Sequence, residues 1–219
     1  YTNQISVTAV DKYSQNVGPK YASDTVTVLA EQVNLETSKS LSRGSVRASS
    51  GQSTTATLTT HVLDYPNSTR ALDHIEMTDP SAGTGLTDWY TYFNATRLVV
   101  TPVPGDATLT ISYRDSAGTY TPLTVLGPGI QNYDIPSAVR GNIYGLKLDW
   151  DSTTGFQPDQ TLVANVEYAL RSTLRDTATP LPNAAAELEN CSASSGTSGG
   201  GAAALASNNA VSDPCPKVT

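Results

Sequence analysis

A chain of 219 residues is long enough to bury a sizeable core. With 15% charged and 38% hydrophobic residues, and abundant Ser, Thr, Gly and Ala, it suits sheets with solvated hydroxyl faces better than helices. The net charge of −7, spread so that the 13 basic residues form no patch, argues against nucleic-acid binding and anionic membrane surfaces. No apolar run reaches the roughly 18 residues that cross a bilayer as a helix, so no membrane insertion is expected of this segment.

Gln4 to Val10 alternates apolar Ile5, Val7 and Ala9 with polar Ser6 and Thr8, the period of a half-buried strand. Asp24 to Leu29 repeats the pattern through Val26 and Val28. Asn16, Gly18 and Pro19 between them predict a loop over Lys12–Lys20, closing a hairpin. A third strand is expected from Val33 to Leu41. Past a turn-rich stretch, Ser53–Leu63 places Ala56, Leu58, Thr60 and Val62 on one face, and Ala71–Asp79 offers Leu72 and Ile75 to the core.

After a loop at Ser81–Thr87, strands are expected at Arg97–Thr101, Ala107–Arg114 and Tyr120–Leu126, the last two joined by an Asp115-Ser-Ala-Gly118 turn. A loop at Gly127–Gly129 and one helical turn within Ile135–Arg140 precede strands at Ile143–Trp150 and Thr161–Leu170. Breakers at intervals of roughly eight to twelve residues are the spacing of a sandwich. The expected fold is all-β, an immunoglobulin-like β-sandwich with an additional β-hairpin subdomain.

The opening Tyr1–Asp11 can be laid on Leu181–Cys191, with Asn3 on Asn183, and Ala22–Val28 on Ala206–Asp213. This self-similarity is the pattern of a tandem array. It divides the chain into residues 1–32, the terminal strands of a preceding repeat or a donor-strand segment; 33–180, the main sandwich; and 181–219, closing strands around a Ser/Gly/Ala-rich loop. Cys191 and Cys215 flank that loop. As a disulfide they would close about 25 residues, worth roughly 3–4 kcal/mol, and would point to an oxidising, extracellular setting. Two buried free thiols or half of a metal site are the alternatives.

Lys39-Ser-Leu-Ser, Gly51-Gln-Ser-Thr-Thr-Ala-Thr-Leu, Ala71–Pro80, Gly141–Trp150 and Gly155-Phe-Gln-Pro-Asp-Gln160 resemble the repeats of actinobacterial cell-wall-anchored surface proteins. Those repeats are related to the immunoglobulin-like modules of Gram-positive stalks, of the domain-of-unknown-function-11 type. Tyr1–Ala9 resembles their terminal-strand motif, N-x-A-x-V, with Gln4 and Ile5 as departures. The resemblance implies a secreted, cell-surface spacer or adhesive module without catalysis.

Some related stalk modules carry an intramolecular isopeptide bond, which needs a buried Lys, an Asn carboxamide and a protonated carboxyl group in a dry core. Here Lys39 would be the nucleophile, Asn183 the electrophile, and Asp73 or Glu76 the acid; the alternative leaves Lys39 solvated and Asn183 bonded to a turn. Asn3 would serve a preceding repeat. A hydrolase is disfavoured, because His61 and His74 sit in no nucleophile motif and read as ordinary strand residues.

Asp149 and Asp151 with Asp159 form a weak Ca²⁺ candidate against the alternative of a solvated acidic turn. Trp89, Tyr90 and Tyr92, with Phe93, offer either a platform for sugars or proteins or the core of a strand. Asn67 and Asn94 lie in glycosylation sequons, which matter only in a host with that machinery. No cofactor is implied. The expected function is an extracellular structural or adhesive repeat, with neighbouring repeats or identical subunits as partners, donor-strand exchange through residues 1–30 being one route. The alternative is an adhesin head binding a surface glycan or host protein through Trp89–Phe93.

Overall fold

The structure, a computed structural model, describes residues 2–10, 13, 16–26, 32–47, 52–80, 88–182, 188–198, 208–212 and 217–218. The chain divides into two compact units, Tyr1–Glu31 and Gln32–Thr219.

The first unit is a hairpin of β1 (Thr2–Val10) and β2 (Asn16–Thr25), paired antiparallel from Thr2↔Thr25 to Val10↔Asn16 with a register shift after Val7. The expected loop over 12–20 is therefore too long. Asn16, Gly18 and Pro19 lie inside β2, where an edge strand tolerates a proline that cannot donate to the ladder.

The second unit contains β3 (Leu35–Leu41), β4 (Ser53–Val62), β5 (Leu72–Asp79), α1 (Asp88–Tyr92), β6 (Phe93–Val103), β7 (Ala107–Arg114), β8 (Tyr120–Leu126) and β9 (Gly129–Asp134). There follow α2 (Ser137–Arg140), β10 (Gly145–Phe156), β11 (Thr161–Leu170), β12 (Leu188–Glu189), β13 (Ala193–Thr197), β14 (Asn208–Ser212) and β15 (Lys217–Val218). They build an immunoglobulin-like β-sandwich. One sheet runs β13-β5-β10-β7-β8 and the other β14-β3-β4-β11-β6-β9, with β12 and β15 forming a small ladder apart. Every neighbouring pair is antiparallel except β14 and β3.

Period-two alternation fixes which side of each strand faces in. On β4, Ala56, Leu58, Thr60 and Val62 are buried, as expected; Thr55, Thr57 and Thr59 alternate with them, and Thr57 Oγ1 donates to Asn165 Oδ1 at 2.7 Å on β11. Ile75 and Met77 of β5, Leu109 and Ile111 of β7, Leu148 and Trp150 of β10, and Ala164, Val166 and Tyr168 of β11 fill the space between the sheets. The Asp115 turn forms as its sequence predicts, with Asp115 Oδ1 accepting from the backbone N–H groups of Ala117 and Thr119, each at 2.9 Å.

Three features depart from the expectations. The Gly127–Gly129 loop leads into a strand, β9, that the sequence reading did not mark. β10 continues past Trp150 to Phe156, because Asp106 ties down its bend: that carboxylate accepts from Ser152 Oγ at 2.7 Å and from both the backbone N–H and Oγ1 of Thr154 at 2.8 Å. Those donors hold the Asp106 carboxyl well below the usual carboxylate range. Thirdly, Asp88–Tyr92 is a short helix rather than a strand. The Arg175 guanidinium secures it from below, donating to the main-chain oxygens of Tyr90, Arg140, Gly141 and Phe93 and to Asn94 Oδ1.

Gly155 closes the β10 bend at φ +81°, and a Cβ there would stand 2.8 Å from the Ala71 Cβ. Gly155→Ala is expected to destabilise the fold by about 1–3 kcal/mol, from the disfavoured backbone and the clash together. Urea denaturation at equilibrium checks this.

Candidate functional site

The inward frame of β3 reads Leu35, Thr37, Lys39, and that of β5 reads Ile75, Met77, Asp79. Each strand therefore ends its run of core positions on a charged residue. The two meet: Lys39 Nζ lies 2.6 Å from Asp79 Oδ1, with both side chains fully shielded from solvent. Two phenols complete the surroundings of Asp79. The Tyr168 hydroxyl donates to Asp79 Oδ2 at 2.5 Å, and the Tyr90 hydroxyl donates to the Asp79 main-chain oxygen at 3.2 Å while lying 3.0 Å from the Tyr168 hydroxyl.

Burial drives the Lys39 amine below its ordinary value, against the pull of Asp79. Burial also raises both tyrosines well above theirs, with the Asp79 charge pushing the same way. Burial in the pocket thus works against the charged forms of the amine and of both phenols.

A buried carboxamide lies on the segment that leads into β13, the edge partner of β5. Asn190 is completely buried, and neither its Oδ1 nor its Nδ2 has a hydrogen-bond partner among the described residues. A buried amide left in that state costs a few kcal/mol, which makes it conspicuous. Its position follows from the ladder. Ala193 faces Thr78 and Ser194 faces Met77, so the chain entering β13 passes alongside Asp79. A hydrogen bond between Thr37 Oγ1 and Ser194 Oγ ties the same segment to β3, two positions before Lys39. Ser192 and Asn190, on the segment leading into β13, are both buried.

Neither carboxyl group expected as an acid partner of Lys39 enters this pocket. Glu76 points out of the sandwich, where Lys147 Nζ lies 3.3 Å from its Oε2, and Asp73 lies near the start of β5, with its carboxylate oxygen beside Gly155. Alternation carries Asp79 inward instead. Asn183 and Cys215 fall outside the described residues. Cys191 is buried, and no described cysteine is free.

The aromatic platform is also corrected. Trp89 and Tyr90 are 0% and 1% exposed and Tyr92 is half-buried, because helix α1 turns its aromatic face onto the core. Trp89 stacks on Phe93 at 4.4 Å and meets Tyr168 edge-on at 5.3 Å, and Tyr90 meets Tyr168 edge-on at 5.8 Å. These rings wall the Lys39–Asp79 pocket and present no surface to a glycan. The proposed calcium triad is not assembled either. Asp149 and Asp151 lie on the outer face of β10 facing His74, whereas Asp159 pairs with His61 at 3.3 Å on the other sheet.

No family model matches the chain, and no curated protein matches it. Among solved structures, 99% of the chain aligns with the C-terminal domain of the Streptococcus pyogenes antigen I/II-family protein AspA, at 11% identity and a TM-score of 0.37, covering 54% of that chain. The whole chain aligns with the C-terminal domain of the Streptococcus agalactiae AgI/II polypeptide BspA, at 12% identity and a TM-score of 0.34, covering 57% of that chain. The group B streptococcus pilus 2b backbone protein aligns with 78% of the chain at 15% identity and a TM-score of 0.31, over 55% of its own length. The chain therefore spans little more than half the length of each, and likeness at these scores carries no function across.

Two outcomes follow from the pocket. Trp89→Ala is expected to cost about 3–5 kcal/mol in urea denaturation, the signature of a core residue. Second, both phenols keep their protons in the fold above the ordinary value of 10.0, while in the unfolded chain they ionise there. Because the folded values are the higher ones, the two phenols leave stability unchanged below about pH 10 and lower it as pH rises beyond that. Tyr168→Phe is expected to flatten that fall, measured as urea midpoints between about pH 9 and pH 11.

Proposed function

We propose that the chain is an extracellular structural module whose sandwich is welded shut by an isopeptide bond between Lys39 and Asn190, with Asp79 as the proton-transferring group. One observation carries this reading: a fully buried Lys–Asp contact on β3 and β5, and a fully buried carboxamide, without a hydrogen bond among the described residues, three residues before the strand that pairs with β5. A dry pocket that holds an amine and an acid, with a buried amide on the segment entering the adjoining edge strand, suits a reaction of the protein with itself.

The steps balance without any other reagent. Lys39, having passed its proton to Asp79, attacks the Asn190 side-chain carbonyl carbon as a neutral amine. Asp79, as the acid, polarises that carbonyl and then relays a proton to the departing nitrogen. An amide joins Nζ to Cγ, and Nδ2 leaves as ammonia. Tyr168 and Tyr90 act as positioning residues: their hydroxyls fix the Asp79 carboxylate on Oδ2 and its backbone, so that Oδ1 stays on the amine.

Surface display and the Cys191–Cys215 disulfide belong to the same proposal, as does association with neighbouring repeats or identical subunits. The Tyr1–Glu31 hairpin is the segment offered for that association, since two strands alone are marginal in water and gain stability from a partner's sheet.

Intact-mass measurement tests the bond. After reduction of the disulfide, the expected mass is about 17 Da below that of the sequence, the loss of one ammonia on amide formation. Lys39→Ala, Asp79→Ala and Asn190→Ala should each restore the full mass relative to their own sequences, whereas Asn183→Ala should keep the deficit. Tyr168→Phe should slow the loss while still reaching it. A full-mass native chain would sink the proposal.

A further inference from the structure

We propose that the outer face of β5 and β10 holds a divalent transition-metal site, with His74, Glu76 and Asp149 as ligands and Asp151 as the group that orients His74. The ion best matched to it is Zn²⁺. One ligand atom from each of the three residues lies within 4.8 Å of the others.

The ladder creates the cluster. Asp149 faces Glu76 and Asp151 faces His74 across antiparallel strands. Carboxylates directly opposite each other repel, and here three carboxylates gather with one ammonium, Lys147, to offset them. Lys147 Nζ lies 3.1 Å from Asp149 Oδ2 and 3.3 Å from Glu76 Oε2, and its position 5.4 Å from the centre of the Tyr120 ring holds it to one side. Two negative charges remain in excess, the charge of one divalent cation.

Asp149 supplies the independent observation. It is 8% exposed, and its Oδ1 is buried with no hydrogen bond among the described residues. That oxygen looks towards His74 Nε2 at 3.8 Å, too long for a hydrogen bond. An ion about 2.0–2.2 Å from each atom spans such a gap.

The other ring nitrogen of His74 is already committed. Its Nδ1 lies 2.8 Å from Asp151 Oδ1, and since a carboxylate can only accept, Nδ1 must carry the proton. In the neutral ring this leaves the Nε2 lone pair, the one a metal would take, on the side of Asp149. A carboxylate that holds a histidine in this tautomer is the usual companion of a metal-bound imidazole. One nitrogen and two carboxylate oxygens suit Zn²⁺, whereas Ca²⁺ asks for six to eight oxygens. Bound there, the ion would pin β5 to β10 on the side opposite Asp79.

The test is calorimetric titration of ZnCl₂ into the chelator-treated full chain, with CaCl₂ as comparison and circular dichroism to confirm that each variant is folded. One zinc per chain is expected. Binding should vanish in His74→Ala and Asp149→Asn and weaken about 10- to 100-fold in Asp151→Asn. His61→Ala, altering the chain's other histidine, should bind as the native protein does. A native chain that takes up no zinc, or a folded His74→Ala variant that binds it undiminished, would overturn the site.

Discussion

The constraint around which this molecule is organised is a lysine and an aspartate placed together where no water reaches. Breaking such a pair on one side typically costs about 3–5 kcal/mol, so the sandwich must hold β3 and β5 in one relative position. It does so redundantly. Thr37 and Ser194 bond across the same gap, Tyr168 and Tyr90 fasten Asp79 from the facing sheet and from α1, and Trp89 closes the pocket on Tyr168. Arg175 in turn braces α1 through its grip on main-chain oxygens. Burial lowers that guanidinium to about 10, with Arg171 adding to the shift, which shows how far it too has been drawn from solvent.

Strand β5 serves two environments at once. Its inward side brings Ile75, Met77 and Asp79 to the core, and its outward side brings His74 and Glu76 to the face shared with β10. The two sets are interleaved along one backbone, so a register slip of one residue would exchange the dry pocket for the polar cluster and destroy both. Continuous pairing with β10 on one edge and β13 on the other guards against that slip.

Much of this was legible in the chain. Alternation identified β4 and β7, because in an antiparallel sheet with one wet face the side-chain period maps directly onto burial, and the Asp115 turn implied β8 as the returning strand. The same rule, pressed further, places Lys39 in frame with Leu35 and Asp79 in frame with Ile75. Ser38 and Ser40, which flank it, sit on the opposite face and say nothing about it. Asp73 and Glu76 were attractive as acids only because the strand was not phased to its end. Asn190 has no comparable signal: it precedes a short edge strand, and its burial comes from β5 pairing with a segment more than a hundred residues away in sequence. Trp89 and Tyr90 misled for a related reason, since a five-residue helix is too short to announce a period.

Lys39 lies near the beginning of the second unit and Asn190 near its end, so a bond between them encloses almost all of the sandwich in one covalent ring. Under tension applied through the chain ends, an unlinked domain of this size would yield, paying out on the order of 500 Å of contour as the strands straightened at about 3.4 Å per residue. Such a ring would remove that slack. Force entering at the first strand would leave through a single side chain and cross to the closing segment, and the sheets between would carry none of it.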